Sequence, residues 1–334
     1  MSAISRAFIL VSVLLACAPA GAVDWAKVPS KDILLMYPAQ IGWERLFAPG
    51  FHSGQRRYPE GKNCASCHLG MDEIPLGRDL VVAEKYEEPT PIARKPGSLK
   101  AAVKTAHDAD TMYFQLVFDA AGQPNAVQDK VYEVGVSLIL DDGGVPEANR
   151  AGCWVACHVD SVTMMKSDGK STMYLLETRD GPDASRVKNK EEKMKPIGNF
   201  LDYWDQYLKP RGIKPESELA KLRTAGRYLE YWQARVKPDA SAVASDGTIL
   251  EKRAESPKPA VTATASCNGT VWTVTLARKL KAGAPYKDIV PGKIYNVGFA
   301  IHAGHTNQRF HYVAFERTLA LDKGPADLVA PAAP

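Results

Sequence analysis

At 334 residues the chain has room for one large domain or two modest ones, and 45% hydrophobic residues can build a core without covalent staples. Its net charge of +4 is slight and dispersed, and no Lys/Arg run resembles a nucleic-acid-binding arm. The composition is that of an ordinary globular protein with no nucleic acid among its partners.

Residues 1–22 read as an export signal. Arg6 supplies a positive start, residues 7–16 an apolar stretch, and Ala20-Gly21-Ala22 an A-x-A cleavage site. Leu14-Leu15-Ala16-Cys17 is a competing lipobox that would leave a lipidated Cys17 at the mature N-terminus. The apolar run is too short to span a bilayer, and no later segment approaches ~20 apolar residues. The mature chain is therefore expected in the periplasm without a transmembrane helix.

Residues 23–88 are expected to form a small irregular and helical segment, with 41–47 (IGWERLF) the clearest helical turn. The segment is too small for a core of its own, and a covalent prosthetic group would supply the missing apolar surface. It carries Cys64-Ala65-Ser66-Cys67-His68, a C-x-x-C-H attachment signature of c-type haem. Thiols two residues apart can each add across a vinyl group on one porphyrin edge. The imidazole that follows directly can then swing beneath the iron as its proximal ligand. A redox dithiol or half a zinc site also uses C-x-x-C, but neither calls for the terminal histidine.

Residues 87–91 and 95–97, rich in proline and glycine, read as a linker into a second domain over 89–325. Strands are expected at 99–106 and 112–118, joined by the Asp108-Ala109-Asp110 turn, then at 132–140, 270–276, 294–301 and 310–321. Strands grouped at both ends, with no helix alternating between them, predict a mainly β fold, an antiparallel sandwich with helical insertions at about 170–260. Within that insertion, 216–235 carries Leu219, Leu222, Leu229 and Trp232 at helical spacing and is expected to pack as a helix. Residues 188–195 read as a solvated charged face, and 240–259 as an exposed excursion.

Cys153 and Cys157, in GCWVACHVD, again stand directly before a histidine, His158. Three residues separate these thiols instead of two, so the first thioether must reach further while the proximal geometry survives. A disulfide or two buried thiols beside a structural histidine is the bland alternative. With a second haem assigned here, Cys267 is left over, expected on a strand as a buried and inert thiol.

Each iron then needs a sixth ligand. His52, in GFHSGQ, is the one further histidine of the N-terminal segment and is the choice for the first iron. Met71 follows His68 by only three residues and would have to wrap round the ring edge. For the second iron the candidates are His302, His305 and His311, while Met164 and Met165 meet the same short-tether objection. His107, at a strand end beside an Asp-containing turn, reads as a capping or packing residue.

The stretches HSGQRRYPEGKNCASCHLGMDEIPLGRDL, AAVKTAHDADTMYFQLVF, GCWVACHVDSVTMM and YNVGFAIHAGHTNQRFHYVAF resemble periplasmic cytochromes built on one module. That module is the haem-binding domain of the ethylbenzene dehydrogenase and dimethylsulfide dehydrogenase γ subunits. The resemblance implies a β-sandwich holding a haem at its edge. In the γ subunits that haem is b-type, with methionine and lysine ligands. Here His311 would stand in the lysine's place and His158 at or near the methionine's, which favours His311 over His302. Two covalent haem c groups closed by imidazole on both faces imply an electron carrier, working by outer-sphere transfer. Its partners would be a membrane quinol-oxidising cytochrome and a terminal reductase or dehydrogenase. The alternative is a catalytic dihaem enzyme, a peroxidase or small-oxyanion reductase with one open iron and His302 or His305 as proton donors.

Overall fold

The computed structural model describes residues 23–37, 62–68, 92–158, 173–175, 178 and 213–333. The expected helical turn at 41–47, the charged run at 188–195 and His52 lie outside the described residues.

Among the described residues the fold is mainly β, as expected. One thirteen-stranded sheet runs in the order β10-β11-β3-β2-β1-β13-β12-β4-β7-β8-β9, with β14 on β12 and β15 on β14. Its strands are β1 (Ser30–Met36), β2 (Ser98–His107), β3 (Thr111–Asp119), β4 (Val134–Asp141), β7 (Leu229–Val236), β8 (Ala242–Ile249), β9 (Arg253–Glu255), β10 (Thr262–Asn268), β11 (Val271–Lys279), β12 (Tyr295–His302), β13 (Tyr312–Ala314), β14 (Arg317–Leu321) and β15 (Leu328–Ala330). Neighbours pair antiparallel except β14 with β15. A separate pair, β5 (Ala156–His158) and β6 (Met173–Leu175), begins within the second cysteine motif.

The sheet curls over its own apolar side. Phe114 on β3 meets Trp232 on β7 edge-on at 5.4 Å and Phe299 on β12 at 6.2 Å, so strands distant in the order share one core. Period-2 alternation sorts the central strands cleanly. Val136, Leu138 and Leu140, with Trp232, Ala234 and Val236, and Val297, Phe299 and Ile301, all point into that core. Their neighbours in sequence point the other way, and the candidate site is built on that second face.

Six expectations change. Residues 216–235 are not one helix: α3 (Glu216–Thr224) ends before Gly226, whose φ of +70° no continuing helix adopts. Leu229 and Trp232 instead lie on β7, where an aromatic-rich run is buried on both faces. Residues 240–259 are no loop excursion but contribute β8 and β9, with Asp246 fully buried and accepting from the backbone N–H groups of Ala260 and Val261. Ser30–Met36, expected to be irregular, pairs with β2 along its whole length and with β13 at its end. Cys267 is on a strand but exposed rather than buried, because it lies at the far end of β10, an edge strand, beyond the core-facing Ala263 and Ala265. Lys95, read as part of a linker, is buried with its ammonium 4.3 Å from the centre of the Tyr312 ring.

The strand expected at 310–321 is two. β13 pairs with the end of β12 and with β1, β14 pairs with the start of β12, and Phe315–Glu316 forms the bend between them.

Candidate functional site

The outward-facing residues of β12, β4 and β7 line up in three rows across the sheet. Gly298, Ile139 and Tyr231 form one, Ala300, Ser137 and Gln233 the next, and His302, Gly135 and Arg235 the third. Over this floor lies a cavity of about 370 Å³, closed at one end by Cys153 and at the other by His302, Gln308 and His311. The strand period therefore delivers His302, and the loop after β12 delivers His311, to the cavity that Cys153 lines.

Cys153 arrives on a short 3-10 turn (Gly152–Val155) that follows α2 (Ala148–Ala151). A Cβ on Gly298 would stand 2.6 Å from the Cys153 backbone nitrogen and 2.9 Å from its Sγ, so only a glycine on β12 lets the turn lie this close. Burial pushes the Cys153 thiol up to about 12, a backbone hydrogen bond with Ile139 offsetting only part of the effect. The thiol is thus neutral and chemically quiet as a free group.

The two histidines share one acceptor. His302 Nε2 lies 3.0 Å and His311 Nδ1 2.7 Å from the carbonyl oxygen of Gln308, and their ring centroids are 4.9 Å apart. A carbonyl only accepts, so both contacts are N–H donations and fix the tautomers. The lone pair of His311 is then on Nε2, the usual arrangement of a metal-ligating imidazole oriented from behind by a carbonyl. That of His302 is on Nδ1, which lies beside Gly135, a Cβ there falling 3.7 Å away. Burial, with His311 alongside, pushes His302 down to about 3. His305 is not brought to the same wall: its Nδ1 contacts the Asp129 carbonyl at 3.0 Å and the residue holds a left-handed turn. His107 sits at the end of β2 between the Asp108 carbonyl and Asp322, each at 2.9 Å, in the packing role expected of it.

Arg235 and Arg253 face the cavity beside Gln233. The Arg235 guanidinium lies over the Tyr132 ring at 4.7 Å, and that of Arg253 over Tyr231 at 4.3 Å. Arg253 donates to Gln233 at 2.8 Å, yet its Nε is buried with no hydrogen-bond partner. The lining mixes apolar side chains (Ile139, Tyr231, Ile249, Ala300) with polar ones, and Arg253 already meets Glu255 at 3.4 Å. Two cations and a buried donor still open to a partner suit a flat apolar molecule that carries carboxylates at its edge. A porphyrin with its propionates is such a molecule.

The first motif forms α1 (Cys64–His68). Asn63 caps it by accepting from Ser66 N at 2.9 Å, and Glu316 Oε1 accepts from Ala65 N at 2.9 Å. The His68 ring stacks on Phe315, with centroids 5.1 Å apart and 17° between planes. Cys64 and Cys153 both pack against a second apolar cluster that includes Ile139, Val145, Leu229 and Ile249. The side chains of Cys67, Cys157 and His158 lie outside what the structure describes, although Cys157 and His158 belong to β5 by their backbone.

Arg235, Arg253, Gln308, Phe315 and Glu316 were not singled out by sequence. Gly135 and Gly298 left a signal, since an isolated glycine inside a strand pattern marks a close approach.

Comparison with known proteins agrees with the motifs. A family model described as ethylbenzene dehydrogenase matches residues 23–314. Cytochrome c-552 of Stutzerimonas stutzeri is 28% identical over 311 residues, covering 92% of this chain and 89% of that one. Cytochrome c-551 of Rhodocyclus tenuis is 24% identical over 319 residues, covering 92% and 99%. A solved carbohydrate-binding protein of Bacteroides uniformis overlaps at a TM-score of 0.29 with 10% identity, which carries no argument.

Proposed function

The chain belongs to the ethylbenzene dehydrogenase family, and on that premise we propose that it is an exported dihaem c-type cytochrome that passes electrons between respiratory partners. The observation that carries this reading is the meeting of Cys153, His302 and His311 on one cavity whose wall includes a buried, unpartnered Arg253 donor.

In this reading Cys64 and Cys67 hold the first haem, and Cys153 and Cys157 the second. His68 and His158, with His52 and His311, would ligate the two irons. Bound haem supplies one-electron exchange between ferric and ferrous iron. The chain's own residues do the rest. Gln308 holds the His311 ring by its Nδ1 proton, which fixes the ring and leaves the lone pair on Nε2 for a metal. Arg235 and Arg253 receive the propionates. Ile139, Tyr231 and Ile249 keep water from the ring, and a low local dielectric makes every nearby charge count toward the potential. Four histidine ligands would leave no coordination position for a substrate, which favours a carrier over the catalytic alternative.

Both relatives bear the name of cytochromes c, which supports covalent haem and redox partners. The partners we propose are a membrane quinol-oxidising cytochrome on one side and a terminal reductase or dehydrogenase on the other. Among the described residues no helix is long and apolar enough to cross a membrane. Export by residues 1–22 would place the carrier in the periplasm.

Resting-state and carbon monoxide difference spectra test the reading. Two low-spin irons that ignore carbon monoxide are expected. A high-spin fraction that binds it would replace the carrier with the catalytic alternative.

A further inference from the structure

The two cysteine motifs are 85 or more positions apart in sequence and would be read from sequence as belonging to separate domains. In the structure they meet. The Gly152–Cys153 turn is pressed against the bend between β13 and β14: a Cβ on Gly152 would stand 2.7 Å from Glu316 N and 2.9 Å from the Phe315 carbonyl carbon. Gly152 has a φ of +54°, so both its backbone and its lack of a side chain are needed there. On the other side of the same bend, Phe315 presents its ring to His68 and Glu316 its carboxylate to Ala65 N. Cys64 and Cys153 pack on one apolar cluster. A single residue pair, Phe315–Glu316, is thus in contact with the His68 helix through its side chains and with the Cys153 turn through its backbone.

We propose that this bend brings the two haem groups into direct electronic contact, making one redox unit of the two motifs, with Phe315 as the positioning residue that sets the His68 ring. The proposal rests on the dihaem reading and goes beyond it, since two haems in separate domains would titrate and relax independently. The step is the passage of one electron: one iron is oxidised as the other is reduced, and no bond forms or breaks. Tunnelling falls off exponentially with separation, so two motifs that meet at one bend would let their haems equilibrate faster than either exchanges with a docked partner.

Electron paramagnetic resonance on the full-length holoprotein, after its haem count has been measured, tests this. In the fully oxidised sample each ferric signal is expected to relax through its neighbour. Once the higher-potential iron is reduced, the remaining signal should saturate at severalfold lower microwave power. Phe315→Leu should shift the g-values of the His68-ligated iron and leave the other in place, and Phe315→Tyr should restore them. Two haems whose saturation is blind to each other's redox state would overturn the proposal alone, even if the variants do not fold. A count of one haem would end the dihaem reading as well. g-values unmoved in a folded Phe315→Leu protein would remove Phe315 from its role.

Discussion

The Sγ of Cys153 lies 2.9 Å from the point that a Cβ on Gly298 would occupy. The two residues come from a 3-10 turn and a central strand, and their closeness is what holds the second cysteine motif against the floor of the cavity. Gly298 has an ordinary strand conformation, so the constraint is steric alone. Gly298→Ala is expected to destabilise the fold by about 1–3 kcal/mol, the usual cost of overpacking a rigid backbone contact. Urea unfolding measures it, and an unchanged midpoint would mean that the turn can retreat freely.

The shared Gln308 carbonyl separates the two cavity histidines. His311 donates from Nδ1 and keeps its lone pair on Nε2, whereas His302 donates from Nε2 and keeps its lone pair on Nδ1. His311→Ala should leave the second iron high-spin and open to carbon monoxide, with the first unchanged. His302→Ala should keep both low-spin. The reverse pattern in the Soret and visible bands would transfer the ligand role to His302.

Glu316 is buried, and burial raises its carboxyl from 4.5 to about 7, against the lowering effects of the Ala65 N–H and Arg317 and with a small further rise from Asp327. The folded protein therefore holds a proton there that the unfolded chain has lost. Its contribution to stability is complete below about pH 4.5 and falls away as the pH rises to about 7, by roughly 3 kcal/mol at most. Glu316→Gln keeps the acceptor for Ala65 and removes the titration. The variant should gain on the wild type between pH 5 and 8, a trend that unfolding midpoints across the range would show. Parallel curves would mean that the carboxyl titrates normally.

Behind the site, Arg278 and Glu230 form an ion pair at 3.1 Å with neither side chain accessible to solvent. Lys287 N and Trp232 Nε1 also donate to the same carboxylate. Removing one partner strands the other charge in the core. Arg278→Met is expected to cost roughly 3–5 kcal/mol in urea unfolding. A loss below about 1 kcal/mol would show that Glu230 simply takes up a proton.

Much of this molecule is legible in the chain. β-branched and aromatic alternation located β2, β3, β4, β11 and β12 to within a few residues, because each has one face in the core. β7 escaped because Leu229 and Trp232 happen to continue the helical spacing of Leu219 and Leu222. β8 escaped because AVASDGTI is too small and polar to look like a strand, its place being secured by Asp246 and its neighbours. The cysteine motifs announced themselves through the covalent chemistry that fixes their spacing. The choice of His311 over His302 came from the family resemblance, while the Gln308 carbonyl that both rings share is a tertiary feature that no spacing reveals. The bend at Phe315–Glu316, which joins the two motifs, is a tertiary contact with no local signature.

The central claim is that two porphyrins are thioether-linked to this polypeptide. Pyridine haemochrome quantitation with intact mass spectrometry, on protein matured in cells competent for c-type attachment, addresses it directly. The account predicts two haems per chain that survive acidified acetone. Porphyrin that extracts into the solvent, or a single bound group, would contradict it.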